Sequence, residues 1–532
     1  MSASVGSKLV KIRKPTLRRF HQARWDEPII FELGQPGQRG ILVPLIEDGI
    51  RQAVGDVIGQ LPERIRRSEP PKLPELSQPQ VLRHYTRLSQ ENLGADVNID
   101  VGQGTCTMKY SPKINERLVR SPKVTELHPL QADDTVQGML AIIYAFEQIL
   151  KAISGLDRFS FQPRGGSDAI YSNAAIIRAY HRDRGEAEQR NEIITTIFSH
   201  PSNAAAAKTA GYNVITLFPD EDGYPDLRAL KAVVSERTAG LMITNPEDTG
   251  IFNPRICDFV NTVHAVGGLC AYDQANLNGI MGITRAKEAG FDLCHFNLHK
   301  SFSTPHGCGG PGVGTNGVSS ALAHFLPIPT VEFDGERYYL DYDHPDSIGK
   351  IASFNGVAPV IVRAYAWVMS LGAAGLRTVA ETAVLNNNYL MKKMLEIPGV
   401  SAPYAEGKRR IEQVRYSWAE LTEQTGVHSE ELGLRSADYG VHYWTSHHPY
   451  VVPEPCTLEP TESYSLEELD EYLAIMAQVA EEAYQDPELV RTAPHNSTIH
   501  TIQHDVLDDP EQWAVTWRAY QRKWVEHAPT DG

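Results

Sequence analysis

Between residues 158 and 297 short β-rich runs alternate with segments of helical length, and this alternation constrains the chain more than any other feature. RFSFQP, EIITTIF, NVITLFP, AGLMITNP, GLCAYDQ and FDLCHFNL are each bounded by turn residues or helix starts. Strands separated by helices of this length need right-handed crossovers, which predicts an α/β fold with a mostly parallel sheet covered on both faces. In such sheets ligands gather at the carboxyl ends of the strands. His200, Asn245, Asp273 and Lys300 all fall at such ends, so the pattern predicts that they share a cleft.

On either side of this region the character changes. Five prolines interrupt LPERIRRSEPPKLPELSQP (61 to 79), which reads as an extended connector. The stretch 134 to 155 has helical spacing at Met139, Ile142, Ile143, Phe146, Ile149 and Leu150 and stops at Gly155. Beyond about 346 comes a long helical stretch. Later, Ser465 with Glu468 forms a capping box for a helix carrying Leu466, Leu469, Leu473, Met476 and Val479 on one face. The expected division is an N-terminal arm and connector (1–95), a large α/β domain (96–345) and a smaller C-terminal α/β domain (346–532).

Composition narrows the function. A formal net charge of -16 opposes general nucleic-acid binding, because phosphates would be repelled. No apolar run of bilayer length is apparent, and the first 20 residues lack the apolar core of a secretory signal, so a cytoplasmic protein away from membranes is expected. Lys8, Lys11, Arg13, Lys14, Arg18, Arg19 and Arg24 make the N-terminus basic. That bias suits an arm docking on an acidic partner or, alternatively, a transit peptide. The six cysteines are dispersed without a CxxC pair, which predicts reduced thiols.

The chemistry centres on Lys300. It follows a strand-like segment and precedes a glycine- and proline-rich loop, as a Schiff-base lysine is presented. A lone lysine there would read as a solvated strand end, but Asp273 ends a neighbouring strand. An amine and a carboxylate so placed suit pyridoxal phosphate: the lysine holds the aldehyde as an imine, and the aspartate keeps the pyridine nitrogen protonated. Gly165, Gly166 and Ser167 lie between a strand and a helix, where backbone amides can cradle the phosphate. His200 is placed either to stack on a cofactor ring or to satisfy a loop carbonyl. Cys294, His295, His299, His306 and Cys308 raise the alternative of a metal, with His295 and His299 sharing one strand face. They lack the spacing of a usual zinc site, so no metal is expected and Cys294 reads as core.

GQGTCTMKYSPKINE, YDQANLNGIMG and above all HFNLHKSFSTPHGCGGPG closely resemble the glycine decarboxylase (P-protein) family of the glycine cleavage system, in its two-subunit form, over nearly the whole chain. The resemblance implies a fold type I pyridoxal-phosphate enzyme, with Lys300 as the imine lysine, Asp273 at the pyridine nitrogen and His200 on the ring. It also implies glycine as substrate, loss of its carboxylate as carbon dioxide, transfer of the aminomethyl group to a lipoylated carrier (H protein), and an oligomer in which this chain is subunit 2 beside a subunit 1. Asn245 and His299 join the expected cofactor site. Cys106, Thr107 and Arg164 are the candidates for the substrate side, Arg164 as a carboxylate clamp. The chain departs from the family pattern at Ile170, where an acid is usual, at PSNAAA after His200, at Gln274 and at Cys308. Those departures leave two alternatives: a relative acting alone on another amino acid or amine, and a non-catalytic assembly subunit.

Overall fold

The structure, a computed structural model, describes residues 17–69, 71–106, 109–305, 312–441, 443, 451–498 and 509–525. Thr107, His306, Cys308 and the basic residues Lys8, Lys11, Arg13 and Lys14 lie outside the described residues. By contacts the chain falls into two units, one of Met1–Arg19 with Gly94–Ala493 and one of Phe20–Leu93 with Pro494–Gly532.

The first unit is built on a seven-stranded sheet. Its strands are β1 (Arg158–Ser160), β2 (Glu192–Thr196), β3 (Asn213–Leu217), β4 (Thr238–Thr244), β5 (Leu269–Asp273), β6 (Leu293–Asn297) and β7 (Gly314–Val318), in the order β1-β7-β6-β5-β4-β2-β3. All run parallel except β7, which is antiparallel to both β1 and β6. The six strands expected from the sequence are present, and β7, GTNGV, is an addition. Alternate residues feed separate cores. Ile194, Leu241, Ile243, Tyr272 and Phe296 pack on one face, whereas Ile193, Met242, Ala271 and Leu293 pack on the other. Period-two alternation within wholly apolar strands is what a sheet covered on both faces requires.

The helix Gln137–Ser154 ends at Gly155, whose left-handed conformation (φ 76°) lets its amide reach the Lys151 carbonyl. Its buried stripe is Leu140, Ile143, Phe146, Leu150 and Ile153, rotated from the expected face so that Met139 is only partly covered. Pro79, placed in the connector by the sequence, instead sits in the first turn of the helix Gln78–Gln90. Proline costs nothing there, because the missing amide would have had no helical partner.

The long C-terminal helix spans Ala358–Met394 but is interrupted at Gly372, with φ 64° and ψ 179°. Contrary to the expectation of no apolar run of bilayer length, it is long and apolar enough to cross a membrane by length and composition, with mean hydropathy 1.3 over its most apolar window. Its Val360, Ile361, Ala364 and Trp367 pack instead into the core beside the sheet, and Leu390 and Met394 pack into a separate core. That second core is formed by the two-stranded antiparallel sheet of β10 (Val414–Ser417) and β11 (Pro455–Leu458) together with the helix Leu466–Gln485. The Ser465 hydroxyl accepts from the Glu468 amide and the Glu468 carboxylate accepts from the Ser465 amide, closing the capping box. Leu466, expected on the buried face, is 48% exposed because it lies in the first turn, ahead of the stripe that starts at Leu469. Two further strands, β8 (Thr330–Phe333) and β9 (Tyr338–Asp341), form an antiparallel hairpin.

Candidate active site

Four strand ends and one helix start surround a cavity of about 150 Å³ lined by Lys300, His299, Asp273, His200, Cys106, Gly166 and Ser167, among others. Lys300 does not sit on a strand. β6 ends at Asn297 and the chain turns at once into the single-turn helix Leu298–Ser301, which carries His299 and Lys300, both buried. His295 and His299 therefore share no strand face, and Cys294 packs into the core opposite Gly317. The turn is anchored from behind: the Ser301 hydroxyl accepts from the Leu277 amide at 2.6 Å, and the Phe302 ring packs edge-on to Phe146 and Trp367. A lysine held by its neighbours in this way reaches the cavity with little freedom left to lose.

Asp273 is the best-supported group in the cavity. One carboxylate oxygen accepts from Asn203 Nδ2 at 2.8 Å and from the Thr244 hydroxyl at 2.8 Å; the other accepts from the Ala275 amide at 3.1 Å. His295 Nε2 lies 3.1 Å from that second oxygen, near enough for charge pairing but off the line of a hydrogen bond. Burial alone would push the Asp273 carboxyl up. The facing His295 and His200 and the donors from Asn203 and Ala275 outweigh it, so the group sits below the usual aspartate range and is ionised. His295 itself is pushed down, chiefly by burial, which outweighs the pull of the Asp273 charge.

His200 lies in the loop after β2. Its Nδ1 accepts from both the Ser202 amide (3.1 Å) and the Ser202 hydroxyl (2.6 Å), which assigns the ring proton of the neutral form to Nε2. The His200 amide in turn donates to the Thr244 hydroxyl at 3.2 Å, so one threonine ties His200 to Asp273.

Across the cavity, the 18-residue helix Gly166–Asp183 begins with no side-chain cap. Its first turn offers amides and the helix dipole to an anion. The Ser167 hydroxyl lies 3.2 Å from that of Ser202, so two hydroxyls stand at the same place. Gly166 lets the helix start pack close to the end of β6: a Cβ there would lie 2.7 Å from Asn297 Nδ2, so that side chain would have to shift.

Two expected site residues, Arg164 and Asn245, are placed elsewhere. Arg164 is 67% exposed, donates to Asp168 Oδ2 at 3.0 Å and does not line the cavity. Its flanking residue Asp168, on the first turn of the helix, offers the nearer carboxylate. Asn245 is buried, but its side-chain oxygen accepts from the Asn253 amide and its carbonyl from the Tyr272 hydroxyl, so it braces the strand end while Thr244 and Pro246 face the cavity. Thr107 lies outside the described residues.

Several lining residues escaped the sequence reading, namely Thr244, Asp248, Asn276 and Glu412, while Ser202 and Asn203 stood out only as part of the motif after His200. The position of Thr244 at the end of AGLMIT was a usable signal. Glu412, more than a hundred residues after Lys300, carried none.

Comparison with known proteins identifies the family. Residues 164–410 match the aminotransferase class-V family and residues 379–501 match the glycine dehydrogenase C-terminal domain. The chain is 46% identical to the probable glycine dehydrogenase (decarboxylating) subunit 2 of Pyrococcus abyssi over 94% of this chain and 98% of that one. The protein of the same description from Caldanaerobacter subterraneus is 43% identical over 89% and 96%. Among solved structures, a glycine decarboxylase (P-protein) of the glycine cleavage system in inhibitor-bound form matches with a TM-score of 0.68 at 20% identity, covering 82% of this chain and all of that one. A NifS-like protein matches with a TM-score of 0.56 at 16% identity, over 72% of this chain and all of its own. At those identities the two structures speak for the fold alone. The level and extent of identity to the first two proteins establish that this chain belongs to the glycine dehydrogenase (decarboxylating) subunit 2 family.

Proposed function

We propose that this chain is the lysine-bearing subunit of a pyridoxal-phosphate-dependent glycine decarboxylase, and that the cavity around Lys300 is its active site. The observation that carries the reading is the meeting of Lys300, an ionised buried Asp273 and His200 in one cavity, opposite an uncapped helix start. This donor set fits the cofactor. Lys300 would supply the amine that attaches it, Asp273 would keep a proton on the pyridine nitrogen, and His200 would border the ring. The amides of Gly165, Gly166 and Ser167 would hold the phosphate, with the Ser167 and Ser202 hydroxyls as further donors. His299 and Cys106 border the space left for substrate, and Asn245 acts through the backbone it braces. When bound, the cofactor supplies an electron sink for the bond broken at the substrate α-carbon.

The relatives are named as second subunits, which supports a companion subunit 1 and a working oligomer. Beyond that, we infer a lipoylated carrier as the acceptor of the aminomethyl group. Arg164, the residue that would favour a larger substrate, is engaged by Asp168. A boundary near 346 between a cofactor-binding part and a smaller part is supported by the separate core around β10 and β11. A cytoplasmic location fits the five free thiols among the described residues.

The test is chemical. Borohydride treatment of protein incubated with pyridoxal phosphate should fix the label on the peptide containing residues 296 to 302, and Lys300→Ala should remove it. Label recovered on another lysine would end the assignment. Carbon dioxide release from glycine should require subunit 1 and a lipoylated carrier. Turnover of a larger amino acid by this chain alone, with glycine inert in every combination, would overturn the substrate.

A further inference from the structure

The Lys300 cavity has an acidic wall to which the reading above gives no work. Glu412, just before β10, lines the cavity and is 1% exposed; Glu459, just after β11, is fully buried. Because Val414 pairs with Leu458, both carboxyls emerge at the same end of the two-stranded sheet. Glu459 Oε1 accepts from Asn276 Nδ2 at 2.7 Å and from Asn278 Nδ2 at 2.6 Å, which gives a task to two asparagines of the YDQANLNG motif. The next residue, Gly279, admits the acid strand. A Cβ there would come within 2.3 Å of Ile411 Cγ2 and 3.0 Å of Glu412 Oε2. Glu412 Oε2 and Glu459 Oε2 are both buried with no hydrogen-bond partner in the protein.

Charge explains why such an arrangement matters. Around the pair stand Asp248, itself 3.6 Å from Arg415 Nη2, and the cations Lys300 and Lys109. Burial, then the neighbouring Glu459 and Asp248, push the Glu412 carboxyl well above its usual range; burial pushes Glu459 to about 7 despite the two asparagine donors and the two lysines. Two carboxylates buried at the same end of one small sheet do not both ionise readily, so the pair titrates as a unit.

We propose that Glu412 and Glu459 hold one proton between them near neutral pH and act as the proton store for the Lys300 amine. Lys300 must be a neutral amine to form a covalent bond. In the step proposed, an Nζ–H bond of the lysine ammonium breaks, the electron pair stays on nitrogen, and an O–H bond forms on the pair. The proton returns by the same route when the amine is released. This rests on the reading of Lys300 as the attachment lysine.

The pair accepts a proton only while it holds fewer than two. Covalent attachment of pyridoxal phosphate to Lys300 should therefore fall as pH drops below about 7 in the wild type and level off above it. Glu412→Gln and Glu459→Gln should attach about tenfold or more slowly near pH 7.5. Glu459→Gln should lack the inflection near neutrality, and Glu412→Asp should recover part of the rate lost in Glu412→Gln. A readout free of the cofactor is the infrared carboxylic-acid band of the cofactor-free protein. Between pH 6 and 8 the wild type should lose intensity that Glu459→Gln does not lose. Glu247, pushed by burial to about 8, contributes to the same band, so the wild-type-minus-variant difference is the quantity to read. Attachment profiles of both Gln variants parallel to wild type, or an unchanged infrared difference, would overturn the proposal. If instead wild-type label misses Lys300 while the infrared difference persists, the attachment assignment fails and the shared proton stands.

Discussion

Every residue of β5 and β6 is buried, although these strands hold only two leucines and no isoleucine or valine, whereas every described residue from 39 to 69 is exposed in a region rich in all three. In the second region Leu45 is 94% exposed, Leu42 78% and Ile41 76%. A side chain of that size left in water forgoes roughly 1.5–3 kcal/mol of burial. The contrast shows that apolar content alone does not make a core. β5 and β6 alternate with helices that bring their own cover. The arm offers a seven-residue helix, Asp48–Val54, too short to stand by itself and without a packed face. Such a surface fits the companion subunit proposed above, which would supply the cover that the chain does not.

The sharpest way to break this comparison is at the buried end. Asp273→Asn keeps the shape but removes the charge and one of the two acceptor oxygens, so carbon dioxide release should fall about a thousandfold or more, ~4 kcal/mol of barrier. Near-normal turnover would make Asp273 a structural strand-end residue only. Next in size, Phe146→Ala empties a site where Phe146 meets Phe161, Phe302 and Tyr365, and should cost roughly 3 kcal/mol of stability in chemical denaturation. A much smaller loss would mean that the core relaxes around the gap. The smallest effect belongs to the arm: Leu45→Ser with Ile46→Ser should change the stability of the isolated chain by less than about 0.5 kcal/mol. The same pair should weaken co-sedimentation with subunit 1. A large stability loss in the isolated chain would show that the arm already has cover.

What could be read in the sequence follows from the same contrast. The six parallel strands announced themselves because central parallel strands are continuous apolar runs between helices. β7 did not, because it is wedged where only small residues fit. A Cβ at Gly314 would come within 2.4 Å of the Gly165 carbonyl oxygen, and one at Gly317 within 2.4 Å of the Phe159 ring, so a central strand wrote itself as GTNGV and passed for loop. Lys300, Asp273 and His200 were visible as chemical residue types at strand ends. Arg164 looked like a substrate clamp only because its partner Asp168, four residues on, becomes its neighbour when the helix forms. Glu412 and Glu459 could not be found locally, since the pairing of β10 with β11 and the absence of a side chain at Gly279 bring them to Lys300 from a different core.

The direction of β7 has one more consequence. Asn297 and Gly314 are register partners, and the Leu298 amide donates to the Val313 carbonyl at 2.9 Å, so the turn that carries Lys300 is tied at its base both to β6 and to the residue that leads into β7. The reversed strand thus couples the position of the amine to the ladder itself: a substitution that loosened this pairing would move the lysine along with the strand.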